Sequence, residues 1–189
     1  MKYELKDCRT GKREKERCTT VEITEKEGIV TFVFTAEKCR YYCPYQKQYN
    51  RLHSEGDACE ILIGSDPLRK DYYEIEISAE NGVMIAKMRY NGEERNGEKI
   101  LLDIDFEKES FVTSQVIRRN GGYEATVAFP LEKIRTGNGE IFFNAYRIDT
   151  HGGKYLVDDE LLYALNPTMR NRFHTPSAFV WLEDYTSRQ

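Results

Sequence analysis

Between residues 71 and 90 the chain reads Asp-Tyr-Tyr-Glu-Ile-Glu-Ile-Ser, a short polar break, then Val-Met-Ile-Ala-Lys-Met-Arg-Tyr. Apolar and polar side chains alternate with a period of two, and Asn81-Gly82 stands between the runs. That arrangement is the strongest short-range signature of a β-hairpin. It recurs at Asn120-Gly121-Gly122, between the runs 111–119 and 122–129. Further strand-like runs lie near 20–25, 29–36, 58–63, 141–149 and 178–183, all rich in Val, Ile, Phe, Tyr and Thr. Residues 130–135 (Pro-Leu-Glu-Lys-Ile-Arg) predict a single helical turn after a strand. No long segment carries an apolar period of 3.6. The expectation is an all-β protein: an antiparallel β-sandwich, jelly-roll or immunoglobulin-like, of nine to twelve strands, with helix only in short turns. No repeat, low-complexity tract or linker divides the chain, so residues 1–189 are expected to be one domain.

A chain of this length can bury a sizeable core without disulfides or a structural metal. The formal net charge of −4 argues against nucleic acid, which requires a basic field. The basic stretch 12–17 has Glu14 and Glu16 inside it and reads as a solvated turn. The five cysteines include no Cys-x-x-Cys pair. Cys39, Cys43 and His53 have a poor zinc spacing, so unpaired thiols in a reducing compartment are expected. The amino-terminal residues include no apolar run that would act as a secretion signal, and no stretch approaches the ~20 apolar residues that span a bilayer. As written, the chain reads as cytoplasmic, with no membrane partner. It would be extracellular if it belongs to a longer secreted protein.

Strand alternation sorts the side chains into two faces. Cys59, Ile61 and Ile63 share one face of their run, and Tyr73, Ile75 and Ile77 one face of theirs. Phe143 and Ala145 face away from Asn144 and Tyr146, and Lys87 falls with Arg89. The apolar sets form a core. The opposite face collects Glu60, Glu74, Asn144, Tyr146 and Arg89, as either a solvated sheet face or a binding surface. Arg147 shares the parity of Phe143 and Ala145, which predicts a paired, partly buried residue.

Catalytic templates are missing: there is no Gly-x-Ser-x-Gly, no phosphate loop and no His-Glu-x-x-His. His53, His151 and His174 are isolated. Glu60 and Glu74 would be the carboxylate pair of a glycoside-cleaving enzyme, if there were one. The acidic clusters 57–60 and 103–105 are candidates for structural calcium, although neither has a twelve-residue loop signature. No other cofactor is expected.

The order of the motifs is more specific than any one of them. Tyr42-x-x-Tyr45 is followed by the run 52–61 (Leu-His-Ser-Glu-Gly-Asp-Ala-Cys-Glu-Ile), then by Tyr72-Tyr73-Glu74-Ile75-Glu76-Ile77 and Asn81-Gly82. Gly122-Tyr123-Glu124-Ala125, Phe129-Pro130-Leu131 and the run 143–148 (Phe-Asn-Ala-Tyr-Arg-Ile) come next. Last are the run 162–168 (Leu-Tyr-Ala-Leu-Asn-Pro-Thr) and Phe173-His174-Thr175-Pro176-x-x-Phe179. This succession resembles the carbohydrate-binding module family 9-like domains, relatives of the DOMON sandwiches, over roughly residues 20–185.

The resemblance implies an antiparallel sandwich with a saccharide site on an open sheet face, where two aromatic rings clamp a terminal sugar. Glu60 matches the family's acidic sugar contact. Glu74 falls where the family has an arginine, and Tyr146 where it has an amide. One clamp position falls at His53 or Ser54, and the other at Phe173. The implied ligand set is Glu60, Glu74, Arg89, Asn144, Tyr146, Phe173 and His53. With one platform replaced, a dissociation constant of roughly 0.1–1 mM is expected. The resemblance leaves other functions open: a DOMON-like domain for a non-sugar ligand such as haem, held by a histidine or methionine, or an interaction domain whose sugar site has decayed.

Overall fold

The computed structural model describes residues 1–13, 18–39, 41–44, 52, 56–94, 99–136, 139–150 and 161–188. Two antiparallel sheets face one another. The first runs β1 (Lys2–Glu4), β3 (Thr19–Lys26), β4 (Ile29–Glu37), β10 (Gly122–Pro130), β9 (Thr113–Arg119), and β14 (Ser187–Arg188) adds to β3 in parallel. The second runs β2 (Lys6–Asp7), β12 (Leu161–Ala164), β11 (Phe142–Asp149), β5 (Ala58–Gly64), β6 (Asp71–Ser78), β7 (Val83–Glu93), β8 (Ile100–Phe106), and β13 (Val180–Trp181) adds to β11. Helix among the described residues consists only of 3₁₀ turns, among them Leu131–Lys133, Pro176–Ala178 and Leu182–Asp184. The all-β expectation therefore holds.

Both predicted hairpins form. Asn81 takes a left-handed conformation (φ 64°) between β6 and β7, which asparagine tolerates better than most residues. At the β3–β4 turn, Glu27 (φ 52°) and Gly28 (φ 77°) are both left-handed, as the favoured two-residue hairpin turn requires. Gly122 has a different reason: a Cβ there would lie 1.9 Å from the Ala36 carbonyl oxygen, so β10 meets β4 this closely only with no side chain.

The inner faces carry the expected apolar sets. Val21, Ile23, Phe32, Phe34, Val127 and Phe129 from one sheet meet Cys59, Ile61, Ile63, Ile75, Ile77 and Phe143 from the other, all buried. Each such side chain contributes about 1.5–3 kcal/mol by burial. Arg147 lies in this core, more deeply than expected, with no exposure. Its guanidinium bonds Asp57 (3.0 Å) and Asp149 (3.3 Å), donates to the Thr19 hydroxyl (3.0 Å) and lies over the Tyr123 ring (5.7 Å). Cys8, Cys18, Cys39 and Cys59 form no disulfide, and burial pushes the Cys59 thiol up to about 12.

Several elements differ from the sequence reading: β1, β2, β8, β12 and β14 are strands where none was expected. Residues 100–106, where the acidic cluster 103–105 lies, form the edge strand β8. The strand expected over 178–183 shrinks to Val180–Trp181 between two 3₁₀ turns. Pro176 opens the first of these turns, and the segment runs largely over the sheet.

Candidate functional site

Strand register brings the outer-face side chains into rows. Tyr146 sits opposite Glu60, and Glu60 opposite Glu76. Asn144 sits opposite Leu62, and Leu62 opposite Glu74. Residues from β11, β5 and β6 thus converge, with Phe173 over them, its ring stacked on Tyr146 at 4.2 Å.

The face is not open, however. The segment 165–182 covers it: Phe173 and Phe179 join Leu62, Tyr72, Met84, Met88, Phe142 and Tyr146 in a second buried cluster. Phe179 stacks on Phe142 (5.4 Å) and meets Tyr72 edge-on (5.2 Å). Asn144 clips the cover at two points: its amide donates to the carbonyls of Asn166 (2.8 Å) and Ala178 (3.2 Å), and its oxygen accepts from Asn166 N (3.1 Å). The Tyr146 hydroxyl donates to the Phe173 carbonyl (3.0 Å). Asn144 and Tyr146 are wholly buried, and Glu60, Glu74 and Phe173 are 2%, 5% and 7% exposed. The expected open, solvated sheet face is therefore corrected to a covered one. Asn144 and Tyr146, two of the polar groups proposed for sugar contact, hold the cover in place, and Phe173 is packed as a core residue.

Arg89 does not belong to this group. It points to the other face of β7, where its fork grips Asp71 at 2.7 and 3.1 Å. Lys87 lies on the same face and pairs with Glu107 (2.7 Å). Both therefore lie on the face opposite Glu74, which corrects the placement of Arg89 with the glutamates. The other clamp candidates, His53 and Ser54, lie outside the described residues, as does His151.

Under the cover, Glu60, Glu74 and Glu76 share one face of β5 and β6. Burial raises the Glu74 carboxyl well above the usual range, and Glu60 and Glu76 beside it add to the shift. His174, from the cover, was overlooked as an isolated loop residue. Its Nε2 lies 3.8 Å from Glu74 Oε2, and a 2.9 Å hydrogen bond links its Nδ1 to the Tyr72 hydroxyl. The parity of Tyr72 with Glu74 on β6 was readable in the sequence, but the fold was needed to bring His174 there. The candidate calcium clusters do not assemble as expected: Asp57 bonds Arg147 inside the core, whereas Glu60 faces outward, and Asp103 accepts from Asn91 (2.9 Å).

A second concave region is open to solvent. It is a cleft of about 860 Å³ on the core-side face of β6–β8, walled by residues 133–136 after β10. Register places two cross-strand rows on its floor: Asp71–Arg89–Asp103 and Tyr73–Lys87–Asp105. The Lys87 ammonium lies over the Tyr73 ring at 5.7 Å. Carboxylates, a guanidinium fork and an aromatic ring are thus presented together.

No protein-family profile matches this sequence, and no curated protein matches it with significance. Solved structures do. A candidate carbohydrate-binding protein from Bacteroides uniformis is similar over 100% of this chain and 86% of its own, with a TM-score of 0.68 and 10% identity. A carbohydrate-binding module of family 9 from Caldicellulosiruptor kristjanssonii, in complex with glucose, is similar over 99% of this chain and 84% of its own (TM-score 0.55, 10% identity). A family 9 module from the same organism with cellotriose gives a TM-score of 0.53 at 11% identity, over 99% of this chain and 82% of that one. The fold is thus the sandwich that family 9 modules have.

Proposed function

We propose that this chain is a single, non-catalytic carbohydrate-binding domain, and that the saccharide enters the cleft on β6–β8. The observation that carries this reading is the pair of cross-strand rows in that cleft. Sugars offer C–H faces to aromatic rings and hydroxyls to polar edges. Tyr73 supplies the ring, and Arg89, Asp71 and Asp103 supply charge-assisted hydrogen bonds. The fold it shares with glucose- and cellotriose-bound modules supports the ligand class. The slot that the family resemblance assigns to sugar is filled by the Tyr146–Phe173 stack, which moves the reading to the open cleft.

Calorimetric titration with glucose and cellotriose, backed by a glycan array, tests this. Binding with a dissociation constant of roughly 0.1–1 mM is expected, and Arg89→Met and Asp103→Asn should each weaken it severalfold. An empty array, or binding that both variants leave intact, would overturn the reading.

A second reading, an interaction domain whose sugar slot has closed, is favoured by the edge strand β8. Its outer face presents Ile104 and Phe106, 50% and 39% exposed, and exposed apolar rows on an edge strand invite a partner. Phe106→Lys, outside the residues that line the cleft, would abolish self-association or partner capture under this reading and leave sugar binding untouched.

A further inference from the structure

We propose that Glu60, Glu74 and His174 form a binding site for a divalent transition metal of the zinc class, beneath the cover and separate from the saccharide cleft. The three side chains come from β5, β6 and the covering segment, and each offers one ligand atom, all within 4.8 Å of one another. Two ligands bound tetrahedrally at about 2.1 Å lie roughly 3.4 Å apart. His174 Nε2 and Glu74 Oε2 stand at 3.8 Å, so a small side-chain rotation closes that pair, and Glu60, within 4.8 Å of both, completes the set by turning its carboxylate towards them.

The orientation of the imidazole is the independent observation. Tyr72 engages Nδ1 at 2.9 Å, which turns Nε2 towards the carboxylates. Metal-binding histidines are typically fixed in this way, by a hydrogen bond at the far nitrogen.

The donor set selects the metal. Two carboxylates and one imidazole suit zinc, manganese, iron or cobalt, whereas calcium requires six to eight oxygens and magnesium a near-ideal octahedron. Three protein ligands leave a fourth position for water or a ligand. The His174 side chain, 17% exposed, marks the way in. A metal here would tie the cover to the sheet, since His174 belongs to one and both glutamates to the other.

Protein stripped with chelator and titrated with Zn²⁺ tests the assignment, with Co²⁺ as a spectroscopic substitute. One equivalent is expected to bind and to raise the melting temperature, and Co²⁺ should give a tetrahedral d–d spectrum without a thiolate charge-transfer band. His174→Ala and Glu74→Gln should each weaken binding at least tenfold. Glu74→Gln removes a buried charge and is expected to fold, which keeps the test decisive if His174→Ala does not. Tyr72→Phe should weaken binding roughly 10–100-fold, as loss of such an orienting partner does. A His53→Ala/His151→Ala double variant should bind as the wild type does. A thiolate band, undiminished binding in Glu74→Gln, or no binding at all would overturn the proposal. Saccharide titrations of the same variants keep its failure distinct from that of the cleft.

Discussion

Phe173→Ala separates a packed core residue from an open sugar platform. In the structure the Phe173 ring is 7% exposed, stacked on Tyr146 at 4.2 Å, inside the cluster that seals the outer face. Truncating a buried phenylalanine costs about 3–5 kcal/mol, through lost transfer energy and the cavity left behind. The stack with Tyr146 accounts for about 0.5–1.5 kcal/mol of this. The Tyr146 hydroxyl bonds the Phe173 backbone carbonyl and should survive, so the cover loosens without detaching. For a protein of this size about 2–4 °C is lost per kcal/mol, so the melting temperature should fall by roughly 6–20 °C. Differential scanning calorimetry and urea titration measure this, with the m-value expected to hold. An exposed clamp ring would behave in the opposite way, with saccharide affinity lost and the melting temperature unchanged. That outcome would refute the covered-face reading, and with it the placement of the saccharide in the β6–β8 cleft.

Two further perturbations test the buried charges. Because burial raises Glu74 above its unfolded value, the folded protein holds this proton longer than the unfolded chain. Its contribution to stability therefore falls as pH rises from the ordinary carboxylate range through the raised value, by at most about 1.4 kcal/mol per pH unit. In chelator, Glu74→Gln should flatten this slope and exceed the wild type in stability at the alkaline end; parallel slopes in urea melts would exclude the effect. Arg147→Met leaves Asp57 and Asp149 buried without their guanidinium, and should cost about 3–5 kcal/mol by chemical denaturation, the usual price of removing one partner of a buried pair; a loss under about 1 kcal/mol would mean that the carboxylates simply take up protons.

The sandwich was legible because period-two alternation and Asn-Gly turns are local, and strands β3 to β7 and β9 to β11 all announce themselves that way. Edge strand β8 did not, since Ile-Leu-Leu-Asp-Ile-Asp-Phe begins with three apolar residues and its aspartates drew a calcium reading. Parity placed Glu60, Glu74, Asn144 and Tyr146 on one face. It could not say what lies above that face, because the bonds from Asn144 to Asn166 and Ala178 close over 22 and 34 residues. One local clue was available. Every residue of β5 and of β11 is buried, and their sequences, Ala-Cys-Glu-Ile-Leu-Ile-Gly and Phe-Phe-Asn-Ala-Tyr-Arg-Ile-Asp, are largely apolar at both parities. A strand of that kind asks for cover on both sides, and Phe173 and Phe179 are the rings that meet the demand. The glutamates are then the exception to explain, since buried carboxylates are kept in place by hydrogen bonds, protons or a cation. That leaves the histidine brought in by the cover, with its far nitrogen held by Tyr72, as the feature that favours a cation over protons alone.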